Sequence, residues 1–131
     1  MEIVDLKGKV VVITGAGSGI DRETAIIASK IGAKIIMLDI SEEGLNETMT
    51  FLEGEGHSMY TINLCDNNQI APLVKAISDD NGMIHGIVHC AGISSRKPLN
   101  VLTKDGFSKV MDINFYSFVE LVRQASKKKY F

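Results

Sequence analysis

The stretch that decides the fold runs from Lys9 to Ala28 and reads KVVVITGAGSGIDRETAIIA. It begins as a continuous apolar run, Val10 to Ile13, which is typical of a strand buried on both faces of a parallel sheet. A glycine-rich turn follows, and helical spacing takes over from Ile20. The glycines allow tight backbone angles and close approach of a ligand, and the helix start directs free N–H groups toward it. The stretch therefore predicts a strand–turn–helix unit suited to a phosphate group.

An acidic residue follows the strand–turn–helix unit at a characteristic spacing. Asp39 ends the next apolar run, Lys34 to Asp39, and lies twenty positions beyond Gly19. In dinucleotide-binding folds an acid at this spacing accepts hydrogen bonds from the ribose hydroxyl groups. A simple turn or helix-capping acid is the alternative. A phosphate-binding P-loop is excluded, because neither Lys-Ser nor Lys-Thr follows the glycines.

Strand-like and helical stretches alternate along the whole chain, as in a doubly wound α/β fold. We expect a Rossmann-like parallel sheet in the order 3-2-1-4, with helices on both faces. No linker or internal repeat divides the sequence, so residues 1–131 are expected to form one dinucleotide-binding domain. The expected strands cover residues 10–13, 34–39, 58–63 and 84–89, and the last helix runs from Thr103 to about Lys128.

The composition narrows the class of partner. Hydrophobic residues make up 45% of the 131 residues and charged residues 23%, with a formal net charge of -2. This charge gives no support for a nucleic-acid partner, and no apolar run has membrane-spanning length. Met1 to Asp5 carries acids where an export signal needs bases, so we expect a cytoplasmic protein.

The two cysteines are expected to be free thiols. Cys65 and Cys90 follow strands that lie three places apart in the expected order, roughly 14 Å at ~4.8 Å per step. A disulfide needs α-carbons within about 7 Å. No spacing of cysteines and histidines suggests a metal site. His57 lies in a polar turn and is expected to be solvated, whereas His85 and His89 are expected to have structural roles.

Three segments carry a family resemblance. Thr14 to Ile20 resembles the Thr-Gly-x-x-x-Gly-Ile-Gly motif of the short-chain dehydrogenase/reductase family, with Asp21 in place of the last glycine. Cys90-Ala91-Gly92 resembles the family's Asn-Ala-Gly motif, with cysteine in place of asparagine. Met111 to Phe115 is similar to the family segment that bears a functional asparagine, which is Asn114 here.

The resemblance implies a set of cofactor residues. Gly15, Ser18, Gly19 and Ile20 would cradle the pyrophosphate, and Asp39 would repel a 2′-phosphate, so that NAD is preferred over NADP. Asp66 would reach the adenine while it also caps a helix, since a cap leaves one carboxylate oxygen free. The remaining implied cofactor contacts are Ile40, Cys65, Cys90, Ala91, Gly92 and Ile113. Asn114 would serve the catalytic site by helping to hold a water, although an exposed helical asparagine is its alternative.

The family's catalytic serine and Tyr-x-x-x-Lys are absent. Tyr60, Tyr116 and Tyr130 are the tyrosines of the sequence, and none has a lysine four positions later. The resemblance therefore covers the N-terminal half of the family fold, a truncated sheet. It implies an oxidoreductase that transfers hydride between nicotinamide and a carbonyl or alcohol, with turnover only if the rest of the fold is supplied. One alternative is a non-catalytic nucleotide-binding or interaction domain. A weaker alternative is a methyltransferase, but Thr14, the residue just before the glycines, argues against it.

The fourth strand is expected to be a vulnerable edge. Ile84, Ile87 and Val88 are apolar enough for a strand with neighbours on both sides, yet no fifth strand follows. We therefore expect a homo-oligomer that covers this edge or the last helix. The candidate contacts are Phe115, Phe118, Leu121 and Val122.

Overall fold

The computed structural model describes residues 4–127, 129 and 130. Their strands form a four-stranded sheet in the order β3-β2-β1-β4, with every neighbouring pair parallel. This confirms the expected α/β fold and its strand order. The strands are β1 (Val10–Thr14), β2 (Lys34–Asp39), β3 (Ser58–Thr61) and β4 (Gly86–His89).

Helices cover both faces of the sheet; the first three connect consecutive strands, and the last two follow β4. They are α1 (Gly19–Lys30), α2 (Glu42–Met49), α3 (Ile70–Asn81), α4 (Lys104–Met111) and α5 (Ser117–Ala125). A 3₁₀ turn covers Asn67–Gln69 and another covers Leu99–Val101. A π-helical turn, Asp112–Tyr116, joins α4 to α5.

The core is divided between the two faces of the sheet, because successive side chains of a strand point to opposite sides. Ile13, Ile35 and Met37 face Ala25 of α1 and Leu45 of α2. On the other face, α3 and α5 pack against the alternate residues of the same strands. That second cluster includes Val12, Ile36, Leu38, Ile70, Val74, Ile77 and Leu121.

Polar side chains define several helix starts. The Ser41 hydroxyl accepts from the Gly44 N–H at 3.0 Å, and the Thr103 hydroxyl accepts from the Gly106 N–H at 3.1 Å. These contacts satisfy backbone donors that have no partner inside the helix. The Thr103 contact confirms the start that the sequence predicts for the last helix.

The last helix differs from the sequence prediction. It is interrupted by the π-turn Asp112–Tyr116 and ends at Ala125, short of the predicted end at Lys128, which lies outside the described residues. A π-turn lengthens the backbone hydrogen-bond spacing and shifts the side chains that follow it. Within this turn the Ile113 carbonyl accepts from the Ser117 hydroxyl at 2.5 Å. Apolar periodicity alone did not reveal this interruption.

Two histidines shape the amino ends of the sheet. The Val10 N–H donates to His85 Nδ1 at 3.0 Å, and β4 begins one residue later, at Gly86. The Ile35 N–H donates to His57 Nδ1 at 3.0 Å, and His57 Nε2 contacts the Glu53 carbonyl at 2.6 Å. The expectation that His57 is simply solvated was therefore wrong, because both of its ring nitrogens bond to the backbone.

Two further findings concern the surface. Among the described residues, no helix combines the length and apolar character needed to cross a membrane. In the same residues, no cluster of three or more His, Cys, Asp or Glu side chains is arranged to hold a metal ion.

Candidate functional site

A crevice of about 420 Å³ opens beyond the carboxyl ends of the strands. This is where ligands of doubly wound sheets bind. Most of the implied cofactor residues meet there: Gly15, Ser18, Asp39, Ile40, Cys65, Cys90, Ala91, Gly92 and Ile113. Gly19, Ile20, Asp66 and Asn114 are not among its lining residues. The lining residues that sequence reasoning did not assign to the cofactor are Asp21, Ile62, Asn63, Leu64, Ile93 and Lys109.

The glycine-rich turn leaves the start of α1 open. Gly15 and Gly19 have φ angles of +73° and +62°, which favour glycine because a side chain is strained there. A Cβ added at Gly19 would meet nothing within 4 Å. Ser18, the N-cap residue, makes no side-chain hydrogen bond to the helix start. The first N–H groups of α1 therefore face open space with no capping side chain, an arrangement that suits an anion.

Asp39 is fixed at the end of β2 by two backbone donors. Its Oδ2 accepts from the Gly17 N–H at 2.8 Å, and its Oδ1 accepts from the Ser41 N–H at 2.9 Å. A carboxylate oxygen accepts more than one hydrogen bond, so both oxygens keep capacity for a ligand. The carboxylate thus joins the glycine turn to the start of α2.

Arg22 connects the same turn to α2, a role that the sequence did not reveal. Its guanidinium donates to the Gly17 carbonyl at 2.6 Å and to the Thr48 hydroxyl at 2.9 Å. The Thr48 hydroxyl in turn donates to the Ala16 carbonyl at 2.7 Å. Glu47 pairs with Arg22 at 3.2 Å. These contacts connect the turn to α2 and hold it in place.

The two departures from the family motif lie together in the crevice. A Cβ added at Gly15 would overlap the Asp21 carboxylate, which places that charge beside the first glycine of the turn. Burial raises the pKa of Asp21, the Cys90 thiol lowers it by hydrogen bonding, and the negative charge of Asp39 raises it. Burial, followed by the hydrogen bond and charge of Asp21, raises the pKa of Cys90 to about 11. Cys90 is therefore a protonated thiol at neutral pH.

Thr14 ties the ends of β1 and β4 together. Its hydroxyl oxygen accepts from the Cys90 and Ala91 N–H groups, each at 3.1 Å. His89 Nδ1 lies 2.9 Å from the same oxygen. The motif threonine thus holds the segment after β4 against the crevice.

Asn114 clamps the next part of that segment. Its Oδ1 accepts from the Ile93 N–H and its Nδ2 donates to the Ile93 carbonyl, both at 2.8 Å. A Cβ at Gly92 would lie 3.2 Å from Asn114 Oδ1, so glycine gives the clamp its space. The side chain is thus held to the crevice wall rather than directed freely into solvent.

Asp66 is engaged within its own turn. Its Oδ1 accepts from the Asn68 N–H at 3.3 Å, and its Oδ2 accepts from Gln69 Nε2 at 3.0 Å. Capping therefore leaves neither oxygen unbonded, but each oxygen, like those of Asp39, can accept a further hydrogen bond, so the contact with the adenine stays a prediction. Nearby, Cys65 lines the crevice, and it is a free thiol like Cys90.

A family model described as short chain dehydrogenase matches residues 9–129. The chain belongs to this family. A 3-oxoacyl-(acyl-carrier-protein) reductase of Thermotoga maritima is 33% identical over 111 residues, covering 83% of this chain and 45% of the relative. Levodione reductase of Leifsonia aquatica is also 33% identical over 111 residues, covering 81% of this chain and 42% of the relative.

Solved structures of other short-chain dehydrogenases share the fold. The crystal structure of levodione reductase has a TM-score of 0.84 and 29% identity, over 91% of this chain and 48% of that one. A citronellol catabolism dehydrogenase of Pseudomonas aeruginosa PAO1 has a TM-score of 0.82 and 28% identity, over 91% of this chain and 49% of that one. The chain spans slightly less than half the length of these relatives.

Proposed function

We propose that this chain is the dinucleotide-binding part of an NAD(P)-dependent oxidoreductase that acts on a carbonyl or alcohol substrate. The observation that carries the proposal is the pairing, in one crevice, of an open glycine turn with a fixed carboxylate at the next strand end. When bound, the nicotinamide ring donates or accepts the hydride. The relatives named as reductases support this class over a non-catalytic binding domain and over a methyltransferase.

The donor set of the crevice fits a dinucleotide. The uncapped N–H groups at the start of α1, beside Ser18, Gly19 and Ile20, suit the pyrophosphate. Asp39 offers two acceptor oxygens to the ribose, and Ile40 and Cys65 flank the adenine end. Lys109 is the one cationic side chain among the lining residues. Because Ala91 and Gly92 are small, they leave room for the cofactor beside β4.

We also propose that NAD is preferred over NADP. Asp39 carries a negative charge at the position that faces the ribose, and a 2′-phosphate there would meet a like charge. At about 4 Å such repulsion is worth about 1 kcal/mol in water and more in a partly closed site. Arg22, the nearest guanidinium of the turn, already bonds Gly17, Thr48 and Glu47.

Calorimetric titration with NAD and NADP tests both statements. We expect weak but saturable NAD binding, tighter than NADP binding, and a reduced preference for NAD in Asp39→Asn. Asp79→Asn is the matched control, because Asp79 is an exposed carboxylate that pairs with Lys75 on the far side of α3. Absence of binding by either dinucleotide would contradict the proposed function, and tighter NADP binding would contradict the role of Asp39.

Asn114 is proposed to serve the catalytic site of the complete enzyme. Because its amide is committed to Ile93, its own contribution is to fix the wall of the crevice and to present the backbone of the π-turn. Its neighbour Ile113 lines the crevice. The substrate pocket and the proton donor are proposed to come from the rest of the family fold.

We propose that the protein forms a homo-oligomer in the cytoplasm. Phe115, Phe118 and Val122 are 51%, 36% and 38% exposed, which leaves an apolar surface on the π-turn and α5. Leu121 does not belong to this surface, since it is only 1% exposed and packs into the core. The free thiols suit a reducing compartment. A monomer at all concentrations in sedimentation velocity would contradict the assembly.

A further inference from the structure

His89 lies between the crevice and the π-turn. It is the last residue of β4, and its Nδ1 is 2.9 Å from the hydroxyl oxygen of Thr14. Its ring stacks on Phe118 of α5, with ring centroids 5.1 Å apart. The imidazole thus contacts one strand end on one side and the last helical segment on the other.

The hydrogen bonds of Thr14 determine where the imidazole carries its proton. A hydroxyl group has one hydrogen and two acceptor lone pairs. Both lone pairs are used, because the Cys90 and Ala91 N–H groups donate to the Thr14 oxygen. The Thr14 hydrogen must therefore be directed at His89 Nδ1, which has to be unprotonated to accept it. A neutral His89 ring then carries its proton on Nε2.

The Nε2 atom faces the π-turn. It is buried and has no partner that meets full hydrogen-bond geometry. The backbone carbonyl groups of Ile113 and Asn114 act on the ring and, against the effect of its burial, raise its pKa. A buried N–H without a partner is costly, whereas an N–H directed at these carbonyls would be stabilised by them. A proton on Nε2, directed at these carbonyls, would link Thr14 to the turn that bears Asn114.

We propose that His89 is a positioning residue. As the neutral tautomer protonated on Nε2, it holds Thr14 with one nitrogen and the π-turn with the other, and so keeps the Asn114 amide on Ile93. Its effect on dinucleotide affinity rests on the proposed function, but the tautomer and the Asn114 contact do not depend on it.

The electrostatic surroundings agree with a neutral ring. Burial lowers the pKa of His89 below its ordinary 6.5, although the carbonyls of Ile113 and Asn114 and the charge of Asp21 oppose that shift. A second proton would have to sit on Nδ1, where it would meet the hydrogen of the Thr14 hydroxyl. Asp21 of α1 is the charged group that acts on the ring, and Phe118 of α5 stacks on one of its faces.

The first test observes the ring directly in the full chain without ligand. Long-range ¹H–¹⁵N NMR correlation spectra at about pH 7.5 distinguish a neutral imidazole protonated on Nε2 from one protonated on Nδ1. We expect the Nε2–H form for His89. The Nδ1–H form or a doubly protonated ring would overturn the proposal, whether or not any dinucleotide binds.

The second test separates the two contacts. His89→Asn places an amide near the Nδ1 position only, and His89→Gln extends an amide toward the Nε2 position. His85→Asn is the control, because His85 lies on the same strand segment but bonds to Val10 at the opposite end of the sheet. The readouts are hydrogen exchange at the Ile93 N–H and the side-chain amide resonance of Asn114.

We expect exchange at Ile93 to accelerate about tenfold in His89→Asn, the change that corresponds to a loss of about 1.4 kcal/mol. His89→Gln should restore part of the protection at Ile93. His85→Asn should change that protection only as far as it changes the global stability of the protein. Unchanged protection at Ile93 in folded His89→Asn would overturn the proposal. If dinucleotide titrations fail while both NMR results hold, the proposed function fails and the positioning role stands.

Discussion

The two ends of the sheet use similar polar groups in opposite ways. At the amino ends, the rings of His57 and His85 accept backbone N–H groups of the neighbouring strands and so complete the hydrogen bonding there. At the carboxyl ends, the Asp39 carboxylate and the start of α1 retain hydrogen-bonding capacity. A buried polar group that is fully bonded stabilises the fold, whereas one with spare capacity is available to a ligand. The amino end is therefore built for stability and the carboxyl end for binding.

The carboxyl end should bind without catalysing. We expect residues 1–131 to show no dehydrogenase or reductase turnover, because the Tyr-x-x-x-Lys pair and the serine are absent from the sequence. General acid–base catalysis alone contributes about 10²–10⁴-fold. The measurement is NADH oxidation with a generic ketone, and heat-denatured protein from the same preparation is the control. Turnover above that control in highly purified protein would contradict the prediction.

The amino end should control stability and leave binding unchanged. His57→Ala removes the acceptor of the Ile35 N–H, which lies on a fully buried strand residue. We expect the free energy of unfolding to fall by about 1–3 kcal/mol, the cost of an unsatisfied buried donor. Urea denaturation measures the loss. NAD affinity, measured where the variant is fully folded, should match the wild type.

His85→Ala repeats this test on the other side of β1, where the Val10 N–H would lose its acceptor. The exposed Lys75→Ala, which removes a surface ion pair, is the control and should change stability far less than either histidine variant. Weaker NAD binding in either histidine variant, without loss of stability, would contradict the assignment of stability to the amino end and binding to the carboxyl end.

At the carboxyl end, we expect Asp21→Gly to strengthen NAD binding rather than weaken it. It removes a carboxylate beside Gly15 and near the helix start that would receive the pyrophosphate. A like charge at this range is worth about 1 kcal/mol or a little more, so NAD binding should tighten roughly tenfold. The gain should shrink at high salt if charge is responsible. Calorimetry at low and high ionic strength tests this, and unchanged or weaker binding would refute it.

A smaller effect should follow from pH. The pKa of Asp21 is raised in the folded protein, chiefly by burial, above its ordinary 3.8. The folded state thus holds this proton more tightly than the unfolded chain, and ionised Asp21 costs stability as pH rises through the folded pKa. As the pH is lowered toward 3.8, Asp21 should therefore gain its proton before an unperturbed aspartate does, which removes the like charge and tightens NAD binding.

The matched variant for the pH experiment is Asp21→Asn, which has no proton to gain. We expect wild-type NAD affinity to rise less than tenfold as the pH is lowered from neutrality toward the ordinary aspartate pKa of 3.8, and the Asn variant to lack this component. Titrations in one buffer series at constant ionic strength measure the difference. Parallel pH profiles for the two proteins would show that Asp21 does not titrate in the crevice.

The sequence by itself determined the architecture and the position of the crevice. A buried strand, a glycine turn and a helix are local patterns, and alternation of such patterns leaves few ways to build the sheet. The acid Asp39 was also predictable, since its distance from Gly19 along the chain is set by one helix and one strand. The departures at Asp21 and Cys90 were visible because the residues around them match the family motifs.

Only the tertiary structure decided how distant groups meet. Thr14 and His89 lie 75 positions apart, as do Val10 and His85, and nothing local indicates that their atoms touch. The π-turn was hidden because its apolar spacing continues that of the flanking helices. The sequence assigned no role to Arg22, whose guanidinium donates to the Gly17 carbonyl in the folded turn. Hydrogen bonds of this kind depend on strand register and helix docking, which short-range pattern does not encode.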